Sequence, residues 1–276
     1  MENPTGRLSL VFRKRADGRT AIAQQYFRLP LQIMNPYYQD DDGTAFVYLL
    51  NPSGGILQND RLLTELTLEE NSRALITTPG NTKFYKMDDG HAEVRNVVRL
   101  EKGAVLEYLP EHNVPFAGSE AYQENDFYLH KDSVLIATDM ASAGRTSRGE
   151  VFDYDVFSSR TRIFVDGRLR VYDRCCIEPE RMKVRNLGYM EGYLTNGTIY
   201  VYAGNISDSF VRDLNNAGIS SNVRFAAGRL DEEIMIVRFL GDDIIELQNT
   251  ILTAWDHIRR EVLGKAAVRI RKYSDR

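Results

Sequence analysis

From Gly6 to about Tyr202 the chain alternates apolar and polar residues with a period of two. RLSLVFRKR, TAIAQQYFR, AFVYLLN, LLTELTLEE, RALITTPG, AEVRNVVRLEKG, AVLEYLPE, NDFYLHKD, VLIATDMA, FDYDVFSSRTRIFVDG, RLRVYDRCCIEP and GTIYVYAG all predict strands. Turn signals separate them: ADGR, DDDG, SGG, DDG, EKG, VDG and TNG. VDGR, between SSRTRIFV and RLRVYD, predicts a hairpin. VLIATDM is apolar on both faces and so predicts a strand within a double layer. Strands roughly every ten to fifteen residues imply a sandwich, a barrel or a solenoid.

The pattern changes near Ser207. SDSFVRDLNNAG predicts a short helix, with Ser207 or Asp208 as its cap and Gly218 as its stop. NVRFAAGRLDEEIMIVRFLGD then predicts two strands joined by a glycine turn. In DDIIELQNTILTAWDHIRREVLG, Ile244, Leu247, Ile251, Trp255, Ile258 and Val262 fall three or four apart, which predicts a long amphipathic helix. Asp242 and Asp243 suit its start and Gly264 its stop. The expectation is one mainly β domain over 1–276: a β body over 1–206 and a βαββα portion over 207–276 packed on it.

Composition narrows the function. The chain has 276 residues, 43% hydrophobic, enough for a sizeable core. A net charge of −4 offers no basic field for nucleic acid. No apolar run approaches membrane-spanning length, and the charged N-terminus does not read as a signal peptide. Cys175 and Cys176 are adjacent, so a disulfide between them would be strained. A reducing, cytoplasmic setting is expected.

The chemical motifs are few. Ser53-Gly54-Gly55 is not followed by the Gly-Lys-Ser/Thr of a phosphate loop, nor by a helix. The stretches at Phe116 and Ser142 lack nucleophile-elbow spacing. His112, in LPEHNVPF, reads as a hydrogen-bonded or surface residue. Asp153 and Asp155, read as sharing one strand face, leave open a β-solenoid or β-barrel hydrolase using paired carboxylates.

Four segments arrive in order: NPSGGILQNDRL, RALITTPGNTKFYKM, LEYLPEHNVPFAGS and LIATDMASAGRTSRGEVF. Together with the Trp-centred FLGDDIIELQNTILTAWDHIRREVLGK they resemble the urease accessory protein UreD (UreH) family over nearly the whole chain. Gln58 and Asn59 stand where the family usually has glycines, and the chain ends RIRKYSDR rather than in Pro-Arg-x-Trp. The resemblance implies a helically wound all-β body with two helices and no catalysis of its own. It also implies binding to the urease apoprotein and to UreF-like and UreG-like accessory proteins. A channel that passes Ni²⁺ towards the urease active site, with no tightly bound cofactor, completes what the family suggests.

Ions in transit need oxygen ligands of modest affinity, because a His/Cys cage would trap them. Asp60, Thr82, Asp139 and Asp173 are the oxygen donors expected on such a path. Asp139 stands inside the apolar run VLIATDMA, where a carboxylate needs a reason. It could instead end a strand or pair with Arg145 or Arg148. Asp60 reads first as a turn cap, and Asp173, beside Arg174, equally as an ion-pair member.

Overall fold

The computed structural model describes residues 3–270. The chain winds back and forth between two hydrogen-bonded sheets, here sheet I and sheet II. β4 (Ala45–Leu50), β6 (Arg73–Thr77), β9 (Val105–Leu109) and β12 (Val134–Ser142) lie in sheet I. β5 (Arg61–Leu68), β8 (Ala92–Leu100), β11 (Glu120–Leu129) and β13 (Val156–Val165) lie in sheet II. Strands that are successive within a sheet are parallel. Ala45 lies beside Ala74, Ala74 beside Leu106, and Leu106 beside Leu135. One coil therefore takes roughly thirty residues, a solenoid spacing. Short strands β7 (Thr82–Phe84) and β10 (Asn113–Pro115) pair with each other, and β10 meets β12 at Ala141.

Antiparallel strands close the coil. β1 (Gly6–Lys14) runs parallel beside β5 and carries β2 (Thr20–Arg28), while β3 (Gln32–Ile33) edges β4. β14 (Arg168–Ile177) folds back on β13 through Asp166 and Gly167, both at positive φ, as VDGR predicts. β15 (Thr195–Tyr202) pairs with β12, β17 (Ile234–Gly241) with β15, and β16 (Arg224–Arg229) with β17. With α1 (Asp208–Asn216) and α2 (Ile244–Leu263), this is the predicted βαββα.

The helices form where their caps and stripes direct. The Ser207 hydroxyl accepts from Phe210 N, and the Asp243 carboxylate accepts from Ile245 N and Glu246 N. Gly264, at φ 67°, ends α2. Leu247, Ile251, Trp255 and Ile258 bury the α2 stripe against the outer face of sheet I. The inner face of that sheet packs on sheet II through Leu8, Leu10, Leu66, Leu106, Phe127 and Leu135, among others.

The structure corrects some strand limits. β11 begins at Glu120 rather than in NDFYLHKD, because Gln123 and Asn125 place polar groups on its inner face and erase the alternation. β13 begins at Val156. Asp153 and Asp155 precede it as exposed turn residues and do not share a strand face. The departure at the tail falls largely on 271–276, outside the described residues.

Candidate functional site: a polar cavity between the sheets

Strand alternation puts Leu62, Thr64 and Leu66 of β5 on the inner face of sheet II, with Val94, Asn96 and Val98 of β8 beside them. Along one register the row reads Thr64, Asn96, Asn125, Thr161, Asp173. Asn96 Nδ2 donates to Asn125 Oδ1 at 2.8 Å, and Asn125 Nδ2 donates to Thr161 Oγ1 at 3.4 Å. The neighbouring row ends in Gln123, Ser159 and Cys175. Polar residues at inward positions are expensive unless they are hydrogen-bonded or solvated. These are partly both, because they line space.

A cavity of about 100 Å³ lies between the sheets, lined by Thr64, Asn96, Asn125 and Gln123 from sheet II and by Tyr108, Pro110, Thr138 and Asp139 from sheet I. Asn51, Thr78, Thr82, Glu111 and Asn113 continue the lining. A second cavity of about 160 Å³ lies against it, bordered by Gly54, Gly55, Pro79, Gly80, Asn81 and Lys83. Leu49, Asn51, Ile56, Thr78 and Thr82 line both. Leu31, Leu50, Leu62 and Val94 complete the lining of the first cavity, so its wall is mixed, with polar groups gathered around Asp139 and room for several waters at ~10–15 Å³ each.

The lips of the outer cavity are the two glycine turns. Asn51 Oδ1 accepts from Ser53 N at 3.2 Å, the turn motif typical of Asn. Gly54 sits at φ 82°, where a β-branched residue is strained. Gly55 does not have positive φ. A Cβ there would lie 2.4 Å from the Tyr85 ring and 3.0 Å from Lys83 O, so its glycine serves close approach. That approach lets Ile56 N reach Lys83 O at 2.8 Å, which stitches one lip to the other. Asn59, where the resemblance leads one to expect glycine, adopts φ 63°, a conformation Asn tolerates. Gln58 Oε1 accepts from both Asp88 N and Asp89 N.

Asp139 is the focus of the inner cavity. On β12 it shares the inner face with Leu135 and Ala137, while Ile136 and Met140 face α2. Its donors are all neutral. Ser159 Oγ donates to Oδ2 in a short hydrogen bond, Gln123 Nε2 donates to Oδ1 at 3.1 Å, and Asn113 Nδ2 at 3.4 Å. Burial pushes its carboxyl up to about 6 against the pull of these hydrogen bonds, and nearby Asp173 adds to the rise. Neither Arg145 nor Arg148 pairs with it: Arg145 is bound to Glu150, Nε to Oε2 at 2.8 Å.

The other expected donors separate. Thr82 sits at the neck shared by both cavities. Asp173 lies beyond Asp139, and its partner is Arg238 on β17, not Arg174. Burial raises its carboxyl, but Arg238 and the Tyr200 hydroxyl outweigh that and hold it below the ordinary range. Asp60 is outside the lining; its Oδ2 accepts from Leu57 N at 2.8 Å, which makes it a turn cap. Asp153 and Asp155 also lie outside the lining of both cavities. His112 is buried, with Nδ1 3.0 Å from Gln248 Nε2. Burial raises the Cys175 thiol to about 11, and Asp139 and Asp173 add to the rise.

Sequence reading missed Asn96, Asn113, Gln123, Asn125 and Ser159. Their one signal is a polar residue at an inward position of an otherwise apolar strand. Among the described residues no group of three or more His, Cys, Asp or Glu is placed to hold a metal ion. None of the described helices is long and apolar enough to cross a membrane.

Fold and site define a class: a wound two-sheet β scaffold whose interior offers hydroxyl, carboxamide and carboxylate groups. Comparison makes the class specific. The family model described as UreD urease accessory protein matches residues 4–273. The chain belongs to the UreD urease accessory protein family. A protein of Cenarchaeum symbiosum (strain A) named urease accessory protein UreD is 36% identical over 193 residues, covering 69% of this chain and 68% of its own. One of Bacillus sp. (strain TB-90) is 30% identical over 271 residues, covering 98% and 99%. One of Staphylococcus epidermidis is 26% identical over 275 residues, covering 98% of each. Such accessory proteins are maturation factors rather than enzymes.

Proposed function

We propose that this protein acts in urease maturation as a scaffold and chaperone that binds the urease apoprotein together with UreF-like and UreG-like proteins. Ni²⁺ is its cargo and passes through the polar cavity between the sheets. The observation that carries this reading is Asp139: an interior carboxylate, served only by neutral donors, on the wall of a cavity that reaches the glycine lips. A carboxylate without a counter-cation is a place for a cation to pause. Around it stand carboxamide and hydroxyl oxygens, which bind a borderline dication weakly enough to let it leave. The neck at Thr82 and the pause at Asp139 lie along one path; Asp173 comes next. Asp60 steadies the turn rather than the ion.

Co-expression with urease subunits, a UreF-like protein and a UreG-like protein tests the reading. Asp139→Ala should join the complex in pull-down at wild-type yield, while urease activity in the same cells falls at least tenfold. Full activity with Asp139→Ala would remove Asp139 from the path. A wild-type chain that joined no complex would remove the function.

A further inference from the structure

Two interior carboxylates that feel each other's charge are treated differently. Asp139 has no cationic partner among the described residues, whereas Asp173 is paired with Arg238, Nη2 to Oδ2 at 2.8 Å. The Tyr200 hydroxyl donates to the same Oδ2 at 2.6 Å. Arg238 stands in one register row with Asp139 and Thr198, and its Nη1 lies 3.3 Å from Thr198 Oγ1. The lining of the inner cavity includes Asp139 but not Asp173, Cys175 or Arg238. The open space thus stops where the ion pair begins. The Arg238 side chain is 54% exposed, and that of Asp173 only 16%. The guanidinium therefore reaches inward from solvent and stoppers the polar interior.

We infer that Arg238 is an electrostatic gate at the end of the cation path opposite the glycine lips, an inference that rests on the path proposed above. While Arg238 holds Asp173, a dication at Asp139 faces a fixed positive charge and finds the next carboxylate occupied. Solvent that reaches Arg238 weakens this repulsion without abolishing it, because Asp173 and Asp139 stand on the less exposed side of the guanidinium. When the guanidinium turns out, it regains solvent at little cost, because it is already more than half exposed. The dication takes its place at Asp173, so the buried carboxylate never stands unpaired. Entry of the ion and exit of the arginine are one exchange.

The gate makes a prediction opposite in sign to a structural role: removing it should speed passage. The test follows nickel incorporation into urease over time in the complete complex, assembled with wild type, Arg238→Met or Arg238→Lys. Arg238→Met should load urease at least threefold faster, and Arg238→Lys, which keeps the charge, should match wild type. An Arg238→Met rate equal to or below wild type overturns the gate, as does an equal gain with Arg238→Lys. If Arg238→Met fails to fold or assemble, Arg238→Gln carries the same test, because its amide can still meet Thr198. Asp139→Ala in the same assay separates the two ideas. Unimpaired loading there sinks the path itself, whereas impaired loading without acceleration by Arg238→Met sinks only the gate.

Discussion

At the scale of a residue, Asp139 carries a cost that pH can reveal. Its carboxyl is raised by burial from 3.8 to about 6. The folded protein therefore holds this proton more tightly than the unfolded chain does. Its favourable contribution is complete below pH 3.8 and is lost as pH rises through about 6. Asp139→Asn removes that dependence. From pH 4 to pH 7 the stability of the variant relative to wild type should rise by ~1–3 kcal/mol, since each tenfold gain in proton affinity is worth about 1.4 kcal/mol. Urea unfolding across that range checks it, and a pH-independent difference between the two proteins would contradict it. The sequence made Asp139 visible because a carboxylate interrupts an apolar run. It left the partner undecided, since Arg145 and Arg148 are near in sequence while Ser159, Gln123 and Asn113 are near only in the fold. The same limit hid Arg238, which lies far along the chain from Asp173. Arg174 is adjacent to Asp173, but neighbours in a strand point to opposite faces.

At the scale of an element, α2 shows what periodicity captures and what it omits. Spacing alone located its stripe and both its caps. It could not show that Arg259, fully buried in the last turns, anchors the helix to sheet I. Arg259 Nε donates to Glu107 Oε1 at 3.0 Å, and its Nη2 is bound to Asp40. Trp255 Nε1 donates to Glu107 Oε2 at 2.7 Å. Arginine near a helix C-terminus ordinarily reads as a solvated partner of the dipole, which describes Arg260, bound to Asp256, but not Arg259. Removing Arg259 strips the buried carboxylate of Glu107 and the half-buried one of Asp40 of the cation that joins them to the helix. Arg259→Ala should cost ~3–5 kcal/mol, the usual range for breaking a buried pair. The double variant Arg259→Met with Glu107→Gln should cost clearly less. Equal losses in denaturant unfolding would show that volume, not charge, holds the helix.

At the scale of the molecule, the strand pattern foretold a mainly β body and a βαββα end because apolar burial dominates both; that the body is wound came from the family resemblance and not from the pattern. The cavity was legible only in fragments. Its walls are assembled from polar residues of strands β5, β8, β11 and β12, which meet through the coil and not through the sequence. Where such residues cluster on an inner face the alternation fades, as it did at the start of β11. The Ser53-Gly54-Gly55 turn is legible in the sequence, yet its role as one of two facing lips depends on the Gly55–Tyr85 approach. The central claim is that nickel travels through this interior. Thr82 stands at the neck shared by the two cavities, so a large side chain there blocks the way without touching the outer faces. The direct measurement is nickel per urease active site, by elemental analysis of urease matured in the complete complex with Thr82→Trp. The account predicts normal assembly and nickel occupancy reduced at least tenfold; normal assembly with full occupancy would contradict it.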